Sequence, residues 1–113
     1  MKAMRVLDKR KYEIFETEVP QVKPGHVLVK IHNTGICGSD VHLFWEIGRG
    51  AGTDYVSGHE FSGEIVDASD SKTLAVGDRV AVIDISPCGE CEFCKAGKEQ
   101  ICDHVFDEAP GLG

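Results

Sequence analysis

Apolar residues along this chain fall in short runs that alternate with polar ones or are rich in branched side chains. Such runs span Met4 to Leu7, Tyr12 to Val19, Val27 to Ile36, Phe61 to Val66 and Arg79 to Ile85. Short runs of this kind read as β-strands. Between them lie turn-forming clusters at Asp8-Lys9, Val22-Lys23-Pro24-Gly25, Asp67 to Lys72 and Val76-Gly77-Asp78, where Gly, Pro and Asp supply the turn geometry. The pattern predicts a mainly β fold, a small barrel of short strands with few helices. One stretch, Ser39 to Glu46, reads instead as a helix. Ser39 or Asp40 would be its N-cap, and Val41, Leu43, Phe44 and Ile47 its apolar positions. The glycine-rich Gly48 to Gly52 resembles a dinucleotide loop but lacks the preceding strand and following helix, so it reads as a surface loop.

Composition narrows the function classes. A chain of 113 residues, 42% hydrophobic, supports one domain with a modest core. Its net charge of −7, with no clustered basic face, argues against nucleic acid and anionic membrane as partners. The N-terminus has no apolar signal region and no stretch approaches membrane-spanning length. The expected location is the cytoplasm. In that compartment clustered cysteines point to metal rather than to disulfides.

Four of the five cysteines, Cys88, Cys91, Cys94 and Cys102, lie within residues 86–103 in the pattern C-x2-C-x2-C-x7-C. Two-residue gaps let neighbouring sulfurs turn toward one point, and four thiolates fill a tetrahedral Zn²⁺ shell, leaving no open position. The site is expected to be structural, with a short helical turn through Lys95 to Lys98 bringing Cys102 back. Four reduced thiols, or an iron–sulfur cluster, are the rival readings. The bacterial ferredoxin run continues with three residues and Cys-Pro, whereas here the last gap is seven and Asp103 follows.

A second constellation is Cys37-Gly38-Ser39-Asp40-Val41-His42 with Gly58-His59-Glu60. It offers a thiolate, an imidazole and a carboxylate, the donor types of a catalytic zinc with one open position. Taken singly, each residue has a plain structural reading: Cys37 as core, His42 as surface, Gly58 as turn.

Their order resolves the choice. C-G-S-D-x-H, then G-H-E, then G-D-R-V at Gly77 to Val80, then the four-cysteine lobe, resembles the zinc-dependent medium-chain alcohol dehydrogenases. The likeness runs from the first strands through Cys102. With W-E-x-G-R at Trp45 to Arg49 it is closest to the sorbitol/polyol branch, and threonine and butanediol dehydrogenases share much of it. The resemblance implies that residues 1–113 are the GroES-like N-terminal catalytic domain. It makes Cys37 and His59 ligands of a catalytic zinc, with Glu60 an alternate or water-bridged ligand, and places Ser39 and His42 in a proton relay. In the family the metal lowers the pKa of the substrate hydroxyl, as it lowers that of water from about 15.7 to about 7. A hydride then passes to NAD(P)⁺, while Ser39 and the cofactor ribose lead the proton to His42. Asp40 has two open roles, capping the helix or orienting a ligand. Trp45, Phe44 and Phe61 read as core or pocket wall, and Leu43 as lining of the substrate cleft.

No G-x-G-x-x-G fingerprint occurs in the chain, and the family's third zinc ligand and remaining barrel strands are not among these residues. NAD(P) would therefore bind only through a Rossmann domain outside them. The 113 residues alone are expected not to oxidise alcohol, and exposed sheet edges predict a homo-oligomer or another partner chain. The competing reading is a non-enzymatic, zinc-binding GroES-like interaction module.

Overall fold

The computed structural model describes residues 1–48, 56–105 and 107. Five strands form, one for each run expected from the pattern. β1 (Lys2–Asp8) and β2 (Lys11–Glu16) make an antiparallel hairpin. Arg5 and Glu13 stand opposite each other in it, and Arg5 Nε donates to Glu13 Oε1 at 2.6 Å. Such opposed cross-strand charges help set the pairing. The tip is held by the Lys9 N–H, which donates to Asp8 Oδ1 at 2.7 Å.

β3 (Leu28–Thr34), β4 (Phe61–Asp67) and β5 (Arg79–Ala81) form a second antiparallel sheet in the order β3-β4-β5. Gly63 lies opposite Ile31 in a register that shifts at the next residues, and a Cβ built there would stand 2.2 Å from the Lys30 carbonyl oxygen. Only glycine permits that approach. The turn before β5 is closed by the Ala75 N–H donating to Asp78 Oδ2 at 2.8 Å, as the Gly77-Asp78 pair led us to expect.

Three strands end earlier than their apolar runs. β2 stops at Glu16, short of Pro20, and β3 stops at Thr34, where Gly35 turns its N–H to the Glu60 carbonyl. β5 keeps only Arg79–Ala81, opposite Ser62 to Glu64, with one further bond beyond its end from the Val82 N–H to the Phe61 carbonyl at 3.0 Å.

The helix after β3 also differs from expectation. α1 spans Gly38–His42, and its N-cap is Cys37, not Ser39 or Asp40. Asp40 sits at the third helical position, and its Oδ2 accepts the Cys37 N–H at 2.9 Å. That is the returning half of a capping box. The chain continues as a single π-helical turn, Leu43–Ile47, closed by the Gly48 N–H donating to the Leu43 carbonyl. This leaves the Phe44 carbonyl free to accept the Arg10 N–H from the hairpin tip at 2.6 Å. Trp45, expected in the core or pocket wall, lines the apolar cleft described below while staying 50% exposed, with the Arg10 guanidinium 4.8 Å from its ring centroid. Residues 49–52 of the expected surface loop lie outside the described residues.

The two sheets do not close into a barrel among the described residues. Val6, Ile65, Cys102 and His59 are buried there, and an apolar cleft of about 1080 Å³ runs between β1, β2, β3 and α1. No helix of the described residues is long and apolar enough to cross a membrane.

Candidate metal centres

The lobe that follows β5 is built by its own sulfurs. α2 (Glu92–Lys95) starts at Cys91, whose Sγ accepts the Cys94 N–H at 3.4 Å. The helical turn therefore starts ahead of the Lys95 to Lys98 stretch expected to hold it and overlaps that stretch at Lys95. Ala96 and Gly97 end it, and a 3₁₀ turn, Glu99–Ile101, delivers Cys102. Peptide N–H groups point at the other sulfurs. Cys91 donates to Cys88 Sγ at 3.4 Å, Cys88 donates to Cys102 Sγ at 3.4 Å, and His104 donates to Cys102 Sγ at 3.3 Å. All four Sγ atoms lie within 4.8 Å of one another. Donors aimed at sulfur stabilise thiolates. The Cys94 and Asp103 backbones hold the Cys91 thiol down at about 6, whereas burial pushes Cys94 up to about 12. The donor set is all sulfur and closed, which fits a structural Zn²⁺.

The second cluster joins the end of β3, the start of α1 and the residues just before β4. One atom each from Cys37, His59 and Glu60 lies within 4.8 Å of the others. His59 is buried, Cys37 half-buried, and Glu60 exposed. Hydrogen bonds from the Ser39 hydroxyl and backbone, then one from His59, lower the Cys37 thiol; burial and the Glu60 charge oppose them. His59 is raised, first by its hydrogen bond to Cys37, against the effect of burial. Without metal the pair therefore leans toward thiolate and imidazolium.

The surroundings of His59 differ on its two nitrogens. Nε2 faces Ser39 Oγ at 3.4 Å. Nδ1 is buried with no hydrogen-bond partner among the described residues, and Asp40 Oδ1 stands 3.8 Å away. A mixed sulfur, nitrogen and oxygen set with one coordination position left over, and a carboxylate behind the histidine, fits a catalytic zinc site.

Sequence reasoning thus named residues that the fold gathers: Cys37, Ser39, His59 and Glu60 converge. His42 does not join them. Its Nδ1 pairs with Glu46 Oε2 at 3.0 Å on the exposed side of the helix. Both roles left open for Asp40 have geometry behind them, since one oxygen caps α1 while the other faces His59. Reasoning from motifs missed Gly35, which no spacing or charge marks. A Cβ there would meet the Glu60 carboxylate.

Residues 23–113 match the family model described as the alcohol dehydrogenase GroES-like domain. An L-arabinitol 4-dehydrogenase of Aureobasidium melanogenum is 44% identical over 101 residues, covering 81% of this chain and 27% of that protein. Galactitol-1-phosphate dehydrogenase from Escherichia coli superposes with a TM-score of 0.75 at 33% identity, covering 91% of this chain and 30% of that one. An alcohol dehydrogenase of Escherichia coli CFT073 complexed with NADH gives 0.81 at 34% identity, covering 99% and 32%. The chain thus spans about a third or less of these proteins.

Proposed function

The chain belongs to the zinc-dependent medium-chain alcohol dehydrogenase family through its GroES-like domain, and on that footing we propose that it is the metal-binding part of an NAD(P)-dependent polyol dehydrogenase. The reaction would oxidise a secondary alcohol to a ketone by hydride transfer. One observation carries the reading: Cys37, His59 and Glu60 bring three donor atoms to one point, with Ser39 beside them. The sugar-alcohol names of the relatives support the substrate class.

Cys37 and His59 would hold the zinc, and Glu60 would serve as third or exchanging ligand. When bound, the ion would act as a Lewis acid on the alcohol oxygen. The Ser39 hydroxyl, next to His59, would take the alcohol proton as it passes its own on. From Ser39 the proton needs a further carrier toward solvent, and His42 is the candidate once its side chain leaves Glu46. Asp40 would hold His59 through Nδ1 and fix the ring. The four-cysteine lobe would keep a second zinc for stability. NAD(P) would be seated outside these residues, so the 113-residue chain alone would not turn over alcohol.

The competing interaction module would hold metal only in the lobe. Elemental analysis of protein purified without added metal separates the two. Two zinc per chain, one lost in Cys37→Ser and the other in Cys91→Ser, is expected. One zinc, lost only in Cys91→Ser, would favour the module, and iron with visible absorbance would favour a cluster.

A further inference from the structure

We propose that Gly35 is a positioning residue: the absence of a side chain there lets Glu60 bring its carboxylate to Cys37 and His59. The inference rests on reading that cluster as a metal centre. It starts from the backbone. Thr34 pairs with Phe61 at the end of the sheet, and the next N–H, that of Gly35, donates to the Glu60 carbonyl at 2.7 Å. The two chain segments are therefore stitched together at this point.

Space then decides where the Glu60 side chain goes. A Cβ built on Gly35 would stand 2.9 Å from Glu60 Oε2 and 3.3 Å from Glu60 Cβ. The first distance is shorter than a carbon and an oxygen tolerate, so the carboxylate would have to move. It is the free end of an exposed side chain and can swing away, while the 3.3 Å contact with Glu60 Cβ asks the chain there to give by only a few tenths of an ångström. Gly35 is not among the glycines with positive φ, so alanine can adopt its backbone conformation. Gly35→Ala is thus expected to keep the fold while turning away one of the three donor groups. Glycine here acts through the space it leaves and not through its flexibility.

Zn²⁺ affinity measured by chelator competition tests this on the 113-residue chain as wild type, Gly35→Ala, Glu60→Gln and the double variant. Each single variant is expected to lose about 10–100-fold in affinity at one site, with the four-cysteine lobe and the unfolding midpoint unchanged. The double variant is expected to be no weaker than Glu60→Gln, because both changes remove the same donor. Cobalt substitution gives a second readout, with the thiolate-to-metal absorption of Cys37 retained and the ligand-field bands altered alike in both single variants. Wild-type affinity in Gly35→Ala, or a further loss in the double variant, would overturn the role of Gly35 alone. So would a Gly35→Ala chain that fails to fold, since the contact would then involve more than the carboxylate. Metal bound only in the lobe of the wild type would overturn the reading of the cluster itself, and this inference with it.

Discussion

Asp40 Oδ1 lies 3.8 Å from His59 Nδ1, while the other oxygen of the same carboxylate accepts the Cys37 N–H at 2.9 Å. One side chain therefore touches both residues proposed to hold the metal. It fixes the first through a helix cap and faces the second across a gap longer than a hydrogen bond. The coupling follows from position: Asp40 is the third residue of a helix that begins right after Cys37, so its side chain reaches back to the cap while α1 leans on His59.

Asp40→Ala is expected to weaken zinc at the Cys37 site by about 10–100-fold and to cost about 1 kcal/mol of stability through the lost cap. Asp40→Asn keeps an acceptor for the Cys37 N–H but removes the charge. It should recover the stability and only part of the affinity. Chelator competition and urea unfolding on the two variants check this, and equal loss in both measurements for both variants would contradict it.

Zinc at Cys37 and His59 has to displace the proton that His59 holds. The His59 pKa is raised above its ordinary value of 6.5, so the ring is still protonated at a pH where a free histidine is mostly neutral. Affinity at this site is expected to rise with pH up to that raised pKa and to fall below it. The lowered Cys37 thiol offsets part of this, since it is already a thiolate at lower pH. Zinc titrations from pH 5.5 to about 8.5, a range that brackets the ordinary histidine value, with His59→Ala as reference, should show more protons released in the wild type than in the variant at the low end of the range, on top of those that the thiol ligands release in both. A flat profile would sink the prediction.

The metal-free lobe should be chemically uneven. Backbone hydrogen bonds hold Cys91 at about 6, so it is largely thiolate at neutral pH, whereas burial keeps Cys94, at about 12, protonated. Because the thiolate is the nucleophile, brief alkylation of chelator-treated protein should label Cys91 before Cys94. Zinc should protect both. Mass-spectrometric mapping of the label gives the order, and labelling of Cys94 ahead of Cys91 would refute it.

Stability should depend on few positions. Ile65 is fully buried in β4, and Ile65→Ala is expected to cost about 2–5 kcal/mol. Ile36, 82% exposed, should change stability by less than about 0.5 kcal/mol when truncated. Denaturant midpoints for the two variants give the comparison directly.

The strands were legible because burial on one face of a sheet imposes a two-residue period, and the runs without a clean period are rich in the branched side chains that strands favour. Their ends were not, since pairing partners and not the run's own residues stop β3 and β5. The helix after Cys37 was visible as a helix. Its cap was misassigned because serine and aspartate are the usual N-caps, and here the aspartate serves the capping residue from the third helical position. The π-turn had no signature, because it meets the Arg10 N–H arriving from the hairpin tip, whereas Trp45 as pocket wall was legible and only its contact with the Arg10 guanidinium was not.

Donor chemistry was written in the chain itself. Spacing within C-x2-C-x2-C-x7-C marked four sulfurs able to meet, because two-residue gaps let neighbouring cysteines turn toward one point, and the motif order of Cys37 and His59 marked the family. Folding in three dimensions settled what local spacing cannot reach. It brought Cys37 and His59, 22 positions apart in the sequence, to one point, turned His42 toward Glu46, and left at Gly35 the gap that Glu60 occupies. Those outcomes depend on how β3 pairs with β4 and on atoms excluding one another, and a linear pattern of residue types records neither.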